Sequence, residues 1–407
     1  MKRQILILSA ACVTLTALAD PNDPQVALVS ASQDYERVLT IRYTLDEPAI
    51  VTFDVKTNGV SIGAEHLKTA CGDLHRVVAA TGEGETRTIS WPAYESWPDH
   101  RFGRDVVSVT VTAWATNSPP DYMVIKLIGE DKGARTFYTS PEWMPGAGGV
   151  TNDMYKTDYL VMRRIPAAGK TFRMGSPASE PEHKANEILY YVSLTNDFYM
   201  SVFELTQGQY KNVIGSEPTT YSSYSYEPTH PVDWIVYNSF RGSSKLWPRD
   251  GHDVDPSRNL YTFRTVLNLP SLDLPTEAEW EFACRAGTLS GRYDGTEYPA
   301  DVAGIAWVGA DRTQPHAVGL LKPNGYGLYD MYGNVDEYCL DYYAADYATE
   351  GSTVIAPQGP SSGSDRVIRG TGSWWSSNGS QARSAFRQNY TASGPWMCVG
   401  YRLVCTF

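Results

Sequence analysis

Asn324-Gly325-Tyr326-Gly327-Leu328-Tyr329-Asp330-Met331-Tyr332-Gly333-Asn334-Val335 decides the fold of the longer half of this 407-residue chain. Its glycines, Gly325, Gly327 and Gly333, give the backbone the freedom that tight turns require. Tyr326 and Tyr329, with Trp280 and Trp374 elsewhere in the same half, supply large aromatic packing units. The surrounding sequence mixes short β runs with few helical patterns. Its clearest helix runs from Thr276 to Arg285. Pro275 lies just before it, and Glu279 falls three residues after Thr276, a capping-box arrangement with Thr276 as N-cap. Trp280, Ala283 and Cys284 then share one face, as a core-facing helix needs.

Further phrases flank this centre. Upstream are Phe172-Arg173-Met174-Gly175-Ser176, Phe203-Glu204-Leu205-Thr206-Gln207-Gly208-Gln209-Tyr210, Pro231-Val232-Asp233-Trp234 and Leu274-Pro275-Thr276-Glu277-Ala278-Glu279-Trp280-Glu281-Phe282-Ala283. Downstream come Arg366-Val367-Ile368-Arg369-Gly370, Gly372-Ser373-Trp374, Arg383-Ser384-Ala385 and Gly400-Tyr401-Arg402. In order, spacing and content they resemble the sulfatase-modifying-factor family, whose founding member is the formylglycine-generating enzyme. The resemblance covers about residues 158–407. It implies a compact, loop-rich α+β fold related to C-type lectins, in which most phrase residues are scaffold.

The resemblance also implies chemistry. The formylglycine-generating enzyme oxidises a substrate cysteine using copper held by two cysteines four residues apart, just after the Gly-Ser-aromatic phrase. Thiolates suit Cu(I) because both are soft. Here the region reads Gly372-Ser373-Trp374-Trp375-Ser376-Ser377-Asn378-Gly379-Ser380-Gln381-Ala382-Arg383, with no cysteine between Cys339 and Cys398. Ser373 matches the family's active-site serine, but Ser376 stands where the first thiolate belongs. Copper-dependent formylglycine formation is therefore not expected. Cys398 and Cys405 are seven apart, which at strand period places them on opposite faces, a poor geometry for one metal. Other branches of the family use iron, which needs about two histidines and a carboxylate in reach. No HxE or HxxxH pair occurs, and His230 and His316 read as structural. Calcium is the ion that the resemblance implies, at Gly333-Asn334-Val335-Asp336-Glu337. Its ligands would be the carbonyls of Tyr332, Gly333 and Val335 and the side chain of Glu337, oxygen donors that suit Ca²⁺.

In the family fold the segment from Trp374 to Tyr390 borders the substrate groove. Trp374, Trp375, Asn378, Gln381, Arg383, Arg387, Asn389 and Tyr390 combine aromatic faces with amide and guanidinium donors. That combination suits a peptide or glycan ligand without chemistry.

The first half follows a different grammar. Val38-Leu39-Thr40-Ile41-Arg42-Tyr43, Ile50-Val51-Thr52-Phe53-Asp54-Val55, Val106-Val107-Ser108-Val109-Thr110-Val111 and Tyr122-Met123-Val124-Ile125-Lys126-Leu127 carry period-two, β-branched patterning. Turn residues such as Thr57-Asn58-Gly59 separate such runs. An antiparallel β-sandwich of immunoglobulin or fibronectin type is expected over residues 20–129, followed by a linker at 130–157 and the family domain at 158–407. His66, His75 and His100 read as surface residues. This half carries no catalytic constellation and fits a spacer, or a dock for an envelope protein partner.

Residues 1–19 read as a signal peptide: Lys2 and Arg3, an apolar run from Ile5 to Leu18, and a small-x-small end at Ala17-Leu18-Ala19. No later segment is long and apolar enough to form a membrane-spanning helix. The protein is expected to be exported, to a bacterial periplasm or the extracellular space. With 34 basic and 46 acidic side chains its formal net charge is −12, which argues against nucleic acid as a partner. Export permits disulfides, and Cys284, Cys339, Cys398 and Cys405 allow two bridges in three pairings; Cys71 stands apart. The leading expectation is an exported peptide- or glycan-binding or accessory protein. The alternative is a metal-dependent oxidase of the same family, and a structural envelope component is a third reading.

Overall fold

The computed structural model of the chain describes residues 6–7, 24–100, 107–220, 225–242, 254–296, 299–308, 315–346, 348–371, 379–394 and 398–406. The chain divides into two compact units, residues 1–123 with 135–150 and residues 124–134 with 151–407. Residues 130–157, expected as a linker, carry the strand Arg135–Tyr138, two short 3-10 turns and the helix Met154–Thr157, and are shared between the units.

In the first unit the alternating runs become strands. Val38–Leu45 sits between Val26–Gln33 and Arg87–Pro92 in one antiparallel sheet. Ala49–Thr57 pairs antiparallel with Val107–Trp114 in a second. The period-two pattern turns Leu39, Ile41, Tyr43 and Leu45 from the first sheet, and Val51, Phe53, Val55, Val109 and Val111 from the second, into one core with Trp91. Asn58 and Gly59 both adopt positive φ and link Thr57 to Val60, the two-residue hairpin turn that an Asn-Gly pair favours. Tyr122–Lys126, read as another strand of this half, instead straddles the boundary between the units. His75 is not a surface residue: its Nδ1 donates to Phe137 O (2.9 Å), and burial pushes its pKa down to about 4. A two-residue strand, Leu6–Ile7, pairs with Ser32 and Gln33; the rest of 1–23 lies outside the described residues.

The second unit is sheet-rich with short helices, an α+β architecture. The strand Tyr159–Ile165 pairs antiparallel with Phe198–Ser201, which pairs with Val404–Cys405, so the start and end of the unit meet in one sheet. A four-stranded sheet runs Gln388–Thr391, Asp365–Arg369, Asp336–Tyr342, Val399–Gly400 in spatial order. The helix Glu277–Arg285 packs on both this sheet and the strand Thr171–Met174. It starts as expected: Glu279 N donates to Thr276 Oγ1 (3.0 Å) and Thr276 N donates to Glu279 Oε2 (2.8 Å). A second capping box, Thr206 with Gln209, opens the helix Gln207–Ile214.

The stretch 324–335 closes the turn after the helix Glu277–Arg285. Asn324 donates to the carbonyls of Ala283 (2.7 Å) and Cys284 (3.1 Å), satisfying orphan acceptors of the last helical turn. Its Oδ1 accepts from Tyr326 N (3.0 Å) and Leu328 N (3.1 Å), folding the following turn. Glycine is required at Gly333, where φ is 79° and an added Cβ would lie 2.4 Å from Trp307 O. Gly325 adopts no positive φ, and its added Cβ would find ordinary van der Waals distances.

Candidate functional site

The helix Glu277–Arg285 places Glu277 and Glu281 one turn apart on a buried face, and both carboxylates receive arginines from the C-terminal segment. Arg387 donates to Glu277 through Nε and Nη2, each at 2.7 Å, and through Nη1 to Ala344 O (2.8 Å). Arg369 pairs with Glu281, which also accepts from Arg285 (2.8 Å) and Gly175 N (2.9 Å). Arg383 donates to Glu187 Oε1 (2.5 Å) and Oε2 (2.9 Å) and to Glu180 (2.7 Å). The Arg387 and Arg383 forks meet Glu277 and Glu187 bidentately in a desolvated interior, where breaking such pairs is most costly. Arg383 and Arg387 were read as ligand contacts. Their donors are spent inside the protein on Glu187 and Glu277, so they hold the scaffold instead.

The remaining expected ligand residues divide. Trp374, Trp375 and Asn378 lie outside the described residues, as does Ser373, which matches the family's active-site serine. The chain on either side of 372–378 is fastened: Thr371 Oγ1 donates to Gln381 O (2.7 Å), and Arg292 donates to Ala382 O (2.9 Å) and Gly379 O (3.1 Å). Gln381 is half-buried, and its Oε1 is a buried acceptor with no hydrogen-bond partner among the described residues. Asn389 is exposed and Tyr390 half-buried on Gln388–Thr391, the outer strand of the four-stranded sheet. Asn389 donates to Asp365 Oδ2 (2.5 Å) across that pairing.

Glu337, the carboxylate of the implied calcium site, is fully buried. It accepts from Arg402 Nε at 2.8 Å and 3.0 Å and from Trp280 Nε1 at 2.6 Å. Tyr332 and Gly333 pair in parallel with Ala306 and Trp307, and Val335 N donates to Glu204 (3.1 Å). A carboxylate already neutralised by a guanidinium and an indole N–H does not fit Ca²⁺, which needs about six to eight oxygen ligands. Among the described residues no group of three or more His, Cys, Asp or Glu is placed to hold a metal ion. His316 stacks on Trp307 with ring centroids 3.9 Å apart, the structural role read for it.

Sequence reading missed an excess of buried acid beside Arg402. Glu204 accepts from Asn334 Nδ2 (2.6 Å), and burial, together with Asp330 and Glu337, holds its pKa well above the usual carboxylate range. Asp330 accepts from Gly319 N (2.7 Å) while its Oδ1 is buried with no hydrogen-bond partner among the described residues; burial pushes its pKa up to about 6. Burial pushes Asp233 up to about 7, against the backbone amides of its own residue and Cys398. Glu204, Asp233 and Asp330 all stand in the quoted phrases, so the signal was present as acids inside apolar, glycine-rich surroundings.

These carboxyls hold protons in the fold that the unfolded chain releases near pH 4. Their stabilisation is complete below that pH and is lost as pH rises through about 6 for Asp330 and about 7 for Asp233. Asp233→Asn should therefore remove on the order of 2–3 kcal/mol of the stability lost between pH 5 and pH 8. Urea titrations of both proteins at the two pH values check this, and identical pH profiles would contradict the Asp233 assignment.

The cysteines correct another expectation. Cys284, Cys339, Cys398 and Cys405 are buried free thiols, not two disulfides, and Cys71 is an exposed free thiol. Cys284 donates to Ser384 Oγ (3.6 Å) and Cys405 to Met162 Sδ (3.8 Å), contacts suited to small apolar side chains filling a core. Burial pushes Cys284 up to about 11 and Cys339 well above the usual thiol range.

Residues 163–407 match the family model for the sulfatase-modifying factor enzyme 1-like domain. A serine/threonine-protein kinase pkn1 of Chlamydia caviae is 30% identical over 237 residues, 58% of this chain and 36% of its own length. A formylglycine-generating enzyme of Thermomonospora curvata is 40% identical over 116 residues, 24% of this chain and 37% of its own. The chaperone protein LppX of Paenibacillus barcinonensis is 27% identical over 240 residues, 51% of this chain and 80% of its own. The chain thus spans well under half the length of the kinase and of the formylglycine-generating enzyme that it matches.

Proposed function

We propose a binding or accessory role without copper oxidation for this chain, which belongs to the sulfatase-modifying-factor family. The observation that carries the proposal is the state of its sulfur. No cysteine lies between Cys339 and Cys398, where the family's copper pair belongs. The four cysteines of the second unit are buried and free. Three of them stand on the helix Glu277–Arg285 and the strands Asp336–Tyr342 and Val404–Cys405, while Cys398 immediately precedes Val399–Gly400. A chaperone among the relatives, aligned over most of its own length, supports an accessory role.

The ligand is a peptide or glycan held by Tyr390 and Asn389 with Trp374, Trp375 and Asn378 of the adjoining segment, in a fold of C-type-lectin kind. The first unit acts as an immunoglobulin- or fibronectin-like sandwich that docks an envelope partner. The protein works outside the bacterial cytoplasm after removal of residues 1–19. Among the described residues no helix is long and apolar enough to cross a membrane. A glycan and peptide array tests the site: Tyr390→Ala and Trp375→Ala should each weaken binding about tenfold or more. Unchanged binding in both variants would remove this surface from consideration.

A further inference from the structure

We propose that the second unit holds a separate site for a small amphipathic carboxylate, in the cleft between the helix Met154–Thr157 and the segment Gly319–Pro323. The cleft is shallow and open to solvent, has a volume of about 760 Å³, and is lined by Lys156, Asp153, Leu320, Lys322, Pro323 and Tyr329, among others. Its volume lies within the range of small-ligand sites.

Lys156 carries the argument. Its side chain is 4% exposed, yet among the described residues the one hydrogen-bond partner of its Nζ is Asp153 Oδ1, at 3.1 Å, whose side chain is 76% exposed on the rim, while the buried Asp330 lies near enough to feel its charge. An ammonium group has three N–H donors. Two of them remain for whatever occupies the cleft, and an ammonium this deep is costly to bury without a compensating acceptor. A carboxylate supplies two oxygens to that pair of donors.

The rest of the lining sets the body of the ligand. Leu320 is 59% exposed, and with Leu321, Pro323 and the ring of Tyr329 it makes an apolar wall beside the ammonium. Lys322 adds a second, exposed cation in a chain whose formal net charge is −12. The lining holds no arginine, so the planar fork that recognises phosphate bidentately is missing. An apolar group bearing one carboxylate fits better than a phosphate.

Both walls are fixed before any ligand arrives. Thr206 Oγ1 donates to Lys156 O (2.5 Å), and Gln209 Nε2 donates to the carbonyls of Tyr155 (3.3 Å) and Tyr159 (2.9 Å). Opposite them, Gly319 N is held by Asp330 (2.7 Å), Lys322 N by Gly304 O (3.1 Å) and Lys322 O by the Tyr293 hydroxyl (3.1 Å). Pre-organised walls lower the entropic cost of binding.

Calorimetric titration of the full chain with N-acetyl-leucine, its methyl ester and inorganic phosphate tests the site. N-acetyl-leucine should bind saturably, and the ester and phosphate each about tenfold or more weakly. Lys156→Met should weaken N-acetyl-leucine about tenfold, and Leu320→Asp, an exposed change that spares the fold, should do the same by repelling the carboxylate. Absence of saturable binding, equal affinity for acid and ester, phosphate binding as tightly as N-acetyl-leucine, or full affinity in Leu320→Asp would each overturn the proposal.

Discussion

Arg402→Met should destabilise the second unit by about 3–5 kcal/mol, enough to leave much of the protein unfolded at 37 °C. Arg402 is fully buried and bonds Glu337, the carbonyls of Ser201 and Val202 (3.0 Å each) and Tyr329 O (2.8 Å). It also eases the charge of Glu204 and, with Lys156, of Asp330. Removing it leaves Glu337 as an uncompensated buried charge next to two further acids, and three backbone carbonyls lose a donor. The double variant Arg402→Met with Glu337→Gln should recover part of the loss, because the penalty comes mainly from the orphaned partner. Urea denaturation of wild type, single and double variants measures both effects. A loss below about 1 kcal/mol in the single variant would contradict the assignment.

Arg387→Ala carries the second large effect, again about 3–5 kcal/mol. The guanidinium is 5% exposed and holds Glu277 on the helix Glu277–Arg285, Ala344 O, and Asn186 O at 3.2 Å. It thereby ties the C-terminal segment to two distant loops. Asn389→Ala, two residues on and exposed, should stay within about 0.5 kcal/mol of wild type. That contrast separates scaffold from ligand surface within one stretch of sequence. Equal stability of the two variants, with lost ligand binding only in Arg387→Ala, would return Arg387 to the ligand surface.

What the sequence made legible was local. Thr276 and Glu279 announce their capping box within four residues, and Asn58-Gly59 announces its hairpin, because both signals are complete within one turn of chain. The alternation of Val38–Leu45 likewise identified its buried face. The capping box of Thr206 and Gln209 carried the same spacing but went unread, with Gly208 inside it weakening the helical appearance.

The roles of the arginines were not legible. Residue type shows that Arg383 and Arg387 can recognise a carboxylate, but not whose. Their partners Glu187 and Glu277 lie 196 and 110 residues away in the chain. Only the fold brings them together. Glu337 misled for the same reason: a glutamate after a Gly-Asn turn reads as a metal ligand until Arg402, 65 residues later, takes it. The cysteines followed suit, since spacing alone could not show that the buried thiols stand unbridged.

The most direct test of the account is mass spectrometry of a sulfatase-type cysteine peptide after incubation with the copper-loaded protein and oxygen. A binding or accessory protein without a copper-thiolate pair should leave the peptide as free thiol, with no aldehyde above a protein-free control. Catalytic turnover to formylglycine, with more than one peptide converted per chain, would contradict it.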